Sequence, residues 1–253
     1  MRNFVNTYLQ LGEYAKNYNH SKTLDEILEY FGYLYDKNDM DNIGLKLQII
    51  DKGPNGSKPM YLHGYVISSA LQKYINDNSY NNLTILETGT ARAFADIIMA
   101  KILENNNLHG KIHTVDIIHH NTPQFDNCIK AAQLKQKISR EKCIEEWKDL
   151  SDRYINFHTG DSKKILDNLN FERIHFAFLD GHHVYDYVKY ELNYVKERQQ
   201  SGDIIVCDDY TKTQFPEICK AIDEFVSEKL YDFKIFYGDD GTKKRGYVYM
   251  IKL

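Results

Sequence analysis

Two stretches in the C-terminal half concentrate residues able to do chemistry: Leu179-Asp180-Gly181-His182-His183 and Cys207-Asp208-Asp209-Tyr210. Each ends a short apolar run, 174–179 and 203–207, of the kind that forms a buried strand. Parallel strands in one sheet open their carboxyl ends on the same edge, so Asp180, Asp208 and Asp209 can converge although they lie far apart in the chain. Three carboxylates placed together repel one another unless a cation intervenes, and their hard oxygens favour Mg²⁺, Ca²⁺ or Mn²⁺. His183, three residues past Asp180, stands where a neutral imidazole can take a proton from a hydroxyl acidified by such a cation; His182 competes for that role. The plainer alternative has one or two of the acids capping helices and both histidines packing against a cleft wall.

Earlier in the chain, Glu87-Thr88-Gly89-Thr90-Ala91-Arg92-Ala93 follows the apolar run 83–86 and precedes an apolar helix over 94–103. A strand, a tight turn of small residues and a helix let backbone approach a ligand closely; Ala91 and Ala93 stand where a glycine-rich version would carry glycine. Asp116 ends the next strand, 111–116, near the place where an acidic side chain accepts hydrogen bonds from the two hydroxyls of a ribose. Gly160-Asp161-Ser162, after a third strand over 154–158, forms a polar corner suited to an adenine edge. Together the three turns outline a nucleoside-shaped cleft. His119-His120 lies close to Asp116, but zinc or iron would need further convergent ligands, and Asp116 is better employed on a ribose.

These residues need a scaffold that alternates strands and helices. After residue 83 helices over 163–169, 184–198 and 217–230 follow the later strands, which predicts βαβ units and a mainly parallel, Rossmann-like doubly wound α/β sheet. The runs 233–237 and 247–253 flank Gly238-Asp239-Asp240-Gly241 and predict a closing antiparallel hairpin. Residues 128–150 read as a polar helical insertion. The first eighty residues are helical in pattern: Leu24, Ile27, Leu28 and Phe31 follow a cap region at 21–23, a turn-rich break spans 51–56, and Val66, Ala70, Leu71 and Ile75 mark a second helix. The expected organisation is a helical cap over 1–80 and a sheet domain over 81–253, forming one compact unit.

Composition narrows the partners. The 253 residues carry a net charge of −4 with no long basic block, so nucleic acid is a poor expectation. The short run Lys243-Lys244-Arg245 reads as solvated surface. Cys128, Cys143, Cys207 and Cys219 include no CxxC pair and read as thiols in a reducing cytoplasm. No run has the length of a membrane span and residues 1–10 lack the apolar core of a signal peptide, so neither membrane nor export is expected. Of 20 tyrosines, Tyr61, Tyr65, Tyr185 and Tyr210 are placed to stack against a ring-shaped acceptor.

Taken together, the turn at 87–93, Asp116, the Asp180-Gly-His-His-Val-Tyr stretch and Asp208-Asp209-Tyr210 resemble the class I S-adenosylmethionine-dependent methyltransferases. The resemblance is nearest to the metal-dependent O-methyltransferases related to catechol O-methyltransferase and to the macrolide-sugar methyltransferases, and it spans 83–253. It implies a seven-stranded sheet with an antiparallel last strand. It also implies that Glu87, Gly89 and Ala93 line the methionine end of the cofactor, Asp116 holds the ribose, Asp161 approaches the adenine, and Ala91 and Asp180 border the cofactor. Asp180, Asp208 and Asp209 would ligate Mg²⁺ or another divalent cation such as Ca²⁺ or Mn²⁺, and His183 would match the base position. The implied reaction transfers a methyl group to a hydroxyl of a small molecule or sugar. Two other classes use the same cleft: a metal-dependent hydrolase or transferase acting with a nucleotide, against which the absence of a GxxxxGK[ST] loop counts, and a binding protein without turnover. Acceptor choice would reside in the cap, in 121–150 and in the loop after Asp209, and the aromatic cap could support a homodimer.

Overall fold

A computed structural model describes residues 21–48, 61–126, 128–239 and 244–253. Among the described residues three helices come first: α1 (Ser21–Phe31), α2 (Lys37–Leu47) and α3 (Leu62–Asp77). Strands and helices then alternate through β1 (Asn82–Thr88), α4 (Phe94–Asn105), β2 (His109–Asp116), an insertion, β3 (Ile155–Thr159), α8 (Ser162–Asn168), β4 (Phe176–Leu179), α9 (Tyr185–Lys196), β5 (Ile204–Cys207) and α10 (Pro216–Ser227). The strands β6 (Tyr231–Asp239) and β7 (Lys244–Lys252) close the chain.

The seven strands form one sheet in the order β3-β2-β1-β4-β5-β7-β6. The first five are mutually parallel, with Ile85 beside both Ile112 and Phe176, and Phe176 beside Ile204. β7 runs antiparallel to both β5 and β6. The sequence explains which strands are central: Phe-Ala-Phe-Leu in β4 and Ile-Ile-Val-Cys in β5 are buried along their whole length, as strands covered on both faces must be. The strand order reverses between β1 and β4, and ligands of open α/β sheets bind at such a point.

Side-chain alternation splits the core into two layers. Phe176 and Phe178 face a layer shared with Ile27, Phe31, Met40, Ile43, Val66 and Ile97 of the helices α1 to α4. Ala177 and Leu179 face the other layer, made with Val188, Leu192, Ile218, Ile222 and Phe225 of α9 and α10. The N-terminal helices thus share a core with the sheet. A polar tie joins them as well: fully buried Asp203 accepts hydrogen bonds from Tyr74 Oη at 2.8 Å and from Arg173 Nε and Nη2 at 2.9 and 2.8 Å.

The structure departs from expectation at the insertion, at Arg245 and at the tyrosines. Residues 128–150 are not one helix; they break into α5 (Ile129–Leu134), α6 (Arg140–Cys143), a 3₁₀ turn (Glu145–Trp147) and α7 (Lys148–Tyr154). Ser139 caps α6 by accepting from the Lys142 N–H at 3.2 Å, and Arg140 directs a buried side chain into the sheet domain. Arg245 is not solvated surface: its side chain is 14% exposed and ion-paired with Asp209. Tyr61 and Tyr65 are core residues, and Tyr210 is buried with its hydroxyl on Asp223 at 2.5 Å. The Tyr185 hydroxyl meets Glu224, also at 2.5 Å, so none of the four tyrosines lines the cleft described below. The turn expected at 51–56 and the tip of the C-terminal hairpin lie outside the described residues. The four cysteines are buried free thiols, and no helix among the described residues is long and apolar enough to cross a membrane.

Candidate active site

A cleft of about 670 Å³ opens at the carboxyl edge of the sheet, lined from β1 by Thr88, Gly89 and Ala91, from β2 by Asp116 to Ile118, from β3 by Gly160 to Ser162, and from β4 by Asp180 to His183. The turn after β1 is conformationally demanding: Gly89, Ala91 and Ala93 have φ of 91°, 44° and 66°. A Cβ at position 89 would lie 1.9 Å from the Asp180 carbonyl oxygen, so glycine there is what lets the turns after β1 and β4 touch. Left-handed backbone at two alanines is costly, and local hydrogen bonds must hold it.

The Ala93 N–H donates to the Thr90 carbonyl at 2.7 Å, and at Ala91 the bonds come from Asp116 and Arg140. The Ala91 N–H donates to Asp116 Oδ2 at 2.8 Å, and the Ala91 carbonyl accepts from Arg140 Nε at 2.7 Å. Arg140 Nη2 also donates to Asp116 Oδ2, at 2.8 Å, and Arg140 Nη1 to the Ile118 carbonyl at 3.1 Å. Asp116 Oδ1 accepts the Ile118 N–H at 2.8 Å. A single guanidinium from the insertion therefore fastens the turns after β1 and β2. Nothing in its sequence context distinguished Arg140, because its partners are supplied by distant turns.

Beside this corner, His183 Nε2 lies 3.5 Å from Asp180 Oδ1 and 3.3 Å from Asp209 Oδ2. Asp180, His183 and Asp209 bring one ligand atom each within 4.8 Å of one another. Asp209 is 1% exposed and has φ of 62°; its Oδ1 pairs with Arg245, while its Oδ2 is buried without a hydrogen-bond partner. Asp208 does not join this group: it is buried behind the cleft wall, where Oδ1 accepts the Asp209 N–H at 2.5 Å. Burial, and next the charge of Asp208, push Asp180 well above the usual carboxylate range and hold Asp209 up at about 6. The Asp180 hydrogen bond raises His183 above an ordinary imidazole. Hard oxygens that resist ionising together, one of them buried without a hydrogen bond, suit a divalent cation.

The remaining predicted residues divide cleanly. Gly89, Ala91, Asp116, Asp161 and Asp180 line the cleft, whereas Glu87 and Ala93 lie behind it. Glu87 Oε2 accepts from Thr114 Oγ1 at 2.6 Å, and burial beside Asp96 keeps its carboxyl well above the ordinary range. Asp161 caps α8 and accepts the Tyr187 hydroxyl at 2.6 Å. His182 lines the cleft outside the Asp180–His183–Asp209 cluster and stacks on Tyr187, centroids 4.7 Å apart. His119 and His120 join no metal-competent cluster among the described residues. Sequence reasoning missed Arg140, Tyr187 and Arg245. The period-two pattern of β7 held a signal for the last, since Arg245 shares a strand face with the buried Tyr247 and Tyr249.

Residues 86–210 match a family model described as a methyltransferase domain. No curated protein matches the chain at the sequence level. Among solved structures, the O-methyltransferase NovP superposes with a TM-score of 0.55 at 20% identity, covering 75% of this chain and 79% of that one. An O-methyltransferase from Bacillus cereus in complex with SAH gives 0.56 at 16% identity, covering 98% and 100%. TomG from Streptomyces achromogenes, an O-methyltransferase of tomaymycin synthesis in complex with SAM, gives 0.56 at 12%, covering 93% and 99%. The match over 86–210 takes in the carboxyl ends of β1 to β5, so the stretch that builds this switch-point cleft is the one similar to a methyltransferase domain.

Proposed function

We propose that the protein is an S-adenosylmethionine-dependent O-methyltransferase whose acceptor is a small molecule or sugar bearing neighbouring hydroxyls, and that a divalent cation assists it. The observation that carries this reading is the adjacency, in one cleft, of the Asp116 corner and the Asp180–His183–Asp209 cluster. Asp116 would hold the ribose, Ile117, which is 74% exposed, would give the adenine an apolar face, and the turn at Gly89 would meet the methionine end. S-adenosylmethionine supplies the methyl group. Asp180 and Asp209 Oδ2 would hold the cation, which lowers the pKa of a bound hydroxyl. His183 Nε2, poised between the two carboxylates, would receive the acceptor's proton, and the raised affinity of that nitrogen for a proton suits the task. Much of the acceleration would come from holding acceptor and methyl donor in line. Calorimetric titration of Mn²⁺ or Mg²⁺ into the protein saturated with S-adenosylhomocysteine tests the cation: binding lost in Asp180→Ala supports it, and no binding to the wild type removes it from the mechanism.

A further inference from the structure

Asp116 has less to offer a ribose than an unencumbered carboxylate. A carboxylate presents about four acceptor positions, two on each oxygen. Both positions on Oδ2 are taken, one by the Ala91 N–H and one by Arg140 Nη2, each at 2.8 Å. Oδ1 already accepts the Ile118 N–H at 2.8 Å, which leaves it a single position. The side chain is 10% exposed, so this remaining position is what the cleft can reach.

Arg140 cannot easily yield its place. It is 1% exposed, and two more of its N–H groups are fixed on the Ala91 and Ile118 carbonyls at 2.7 and 3.1 Å. Three separate acceptors in the turns after β1 and β2 therefore set the guanidinium plane, and that plane sets the rotation of the carboxylate. The planar fork of arginine meets this geometry, whereas the single ammonium of lysine does not.

We propose that Arg140 is a positioning residue for cofactor recognition: it turns Asp116 so that the cofactor ribose is held through one hydroxyl, on Oδ1, rather than through both. This rests on the cofactor reading above. The donor comes from the insertion between β2 and β3, so that segment shapes the cofactor cleft without itself lining it.

The test is calorimetric binding of S-adenosylhomocysteine and of its 2′-deoxy and 3′-deoxy analogues to the wild type and to Arg140→Lys. In the wild type, one deoxy analogue is expected to bind about tenfold more weakly than the parent, the loss of one charge-assisted hydrogen bond, and the other within about twofold. In Arg140→Lys the contrast between the two analogues should shrink to less than about threefold. A purely structural role would weaken all three ligands by one factor and leave the contrast intact, and that result overturns the proposal. Equal weakening of both deoxy analogues in the wild type also overturns it, and decides the matter even if the lysine variant does not fold. Failure of the wild type to bind the parent ligand defeats the cofactor reading itself, whereas normal binding with the wrong analogue pattern defeats only the role of Arg140.

Discussion

His183 is the side chain on which the proposed chemistry turns. Its Nε2 sits within 3.5 Å of both acids that face the cleft, while its ring edge rests on Phe215 with centroids 4.7 Å apart. His183→Ala should lower kcat by about 10²–10⁴-fold, the usual worth of a general base, with little change in S-adenosylhomocysteine affinity. Single-turnover methylation and calorimetry together check this; unchanged turnover with an identified acceptor would remove the base role. His182→Ala should spare kcat, because that ring stacks on Tyr187 and stands outside the Asp180–His183–Asp209 cluster. The acids show where sequence stops informing. Asp180 and Asp209 were legible as residues at adjacent strand ends, but Asp208 and Asp209 could not be told apart. Successive side chains diverge at a strand end, and only the left-handed turn at Asp209 decides which carboxylate faces the cleft.

At the scale of elements, the turns are where the fold is least forgiving. Gly89→Ala meets both a forbidding φ and a 1.9 Å approach to the Asp180 carbonyl, so it should destabilise the protein by about 3 kcal/mol or more, read from the urea midpoint at unchanged slope. Glu191 on α9 makes a second prediction. Its Oε2 accepts from Thr88 Oγ1 at 2.8 Å, its Oε1 is buried without a partner, and burial raises its pKa from 4.5 to about 6. The folded state thus holds this proton more tightly than the unfolded chain. The resulting stability is present below about pH 4.5 and is lost as pH rises through about 6, a decline of about 2 kcal/mol for this group. Glu191→Gln should lack that component of the decline; equal pH slopes in urea unfolding for wild type and variant would contradict it. Strand positions were readable because β4 and β5 are continuous apolar runs. The insertion was not, since its helices are too short to show a period and take their places from tertiary contacts, the Arg140 bonds and the burial of Ala131, Ile144 and Leu150 among them.

For the whole molecule, the N-terminal helices and the sheet share one core, and Asp203 bonds to Tyr74 of α3 as well as to Arg173. We expect cap and sheet to unfold together. Asp203→Ala takes from the half-buried Arg173 and from the buried Tyr74 hydroxyl their shared acceptor and should cost about 1–3 kcal/mol, with thermal unfolding remaining a single transition; two resolved transitions would show separate units. The parallel course of the first five strands follows from alternating strands and helices, a pattern present in the sequence from residue 83 onward. The cap's packing was not legible, because helical periodicity marks an apolar face without saying what covers it. Both levels serve the cleft at the switch point, so its ligand is the central claim. Calorimetric titration of S-adenosylhomocysteine into the wild type and Asp116→Ala tests it most directly: one site of micromolar affinity, weakened at least about tenfold by the substitution, is the predicted result. No binding to the wild type at micromolar concentrations would contradict it.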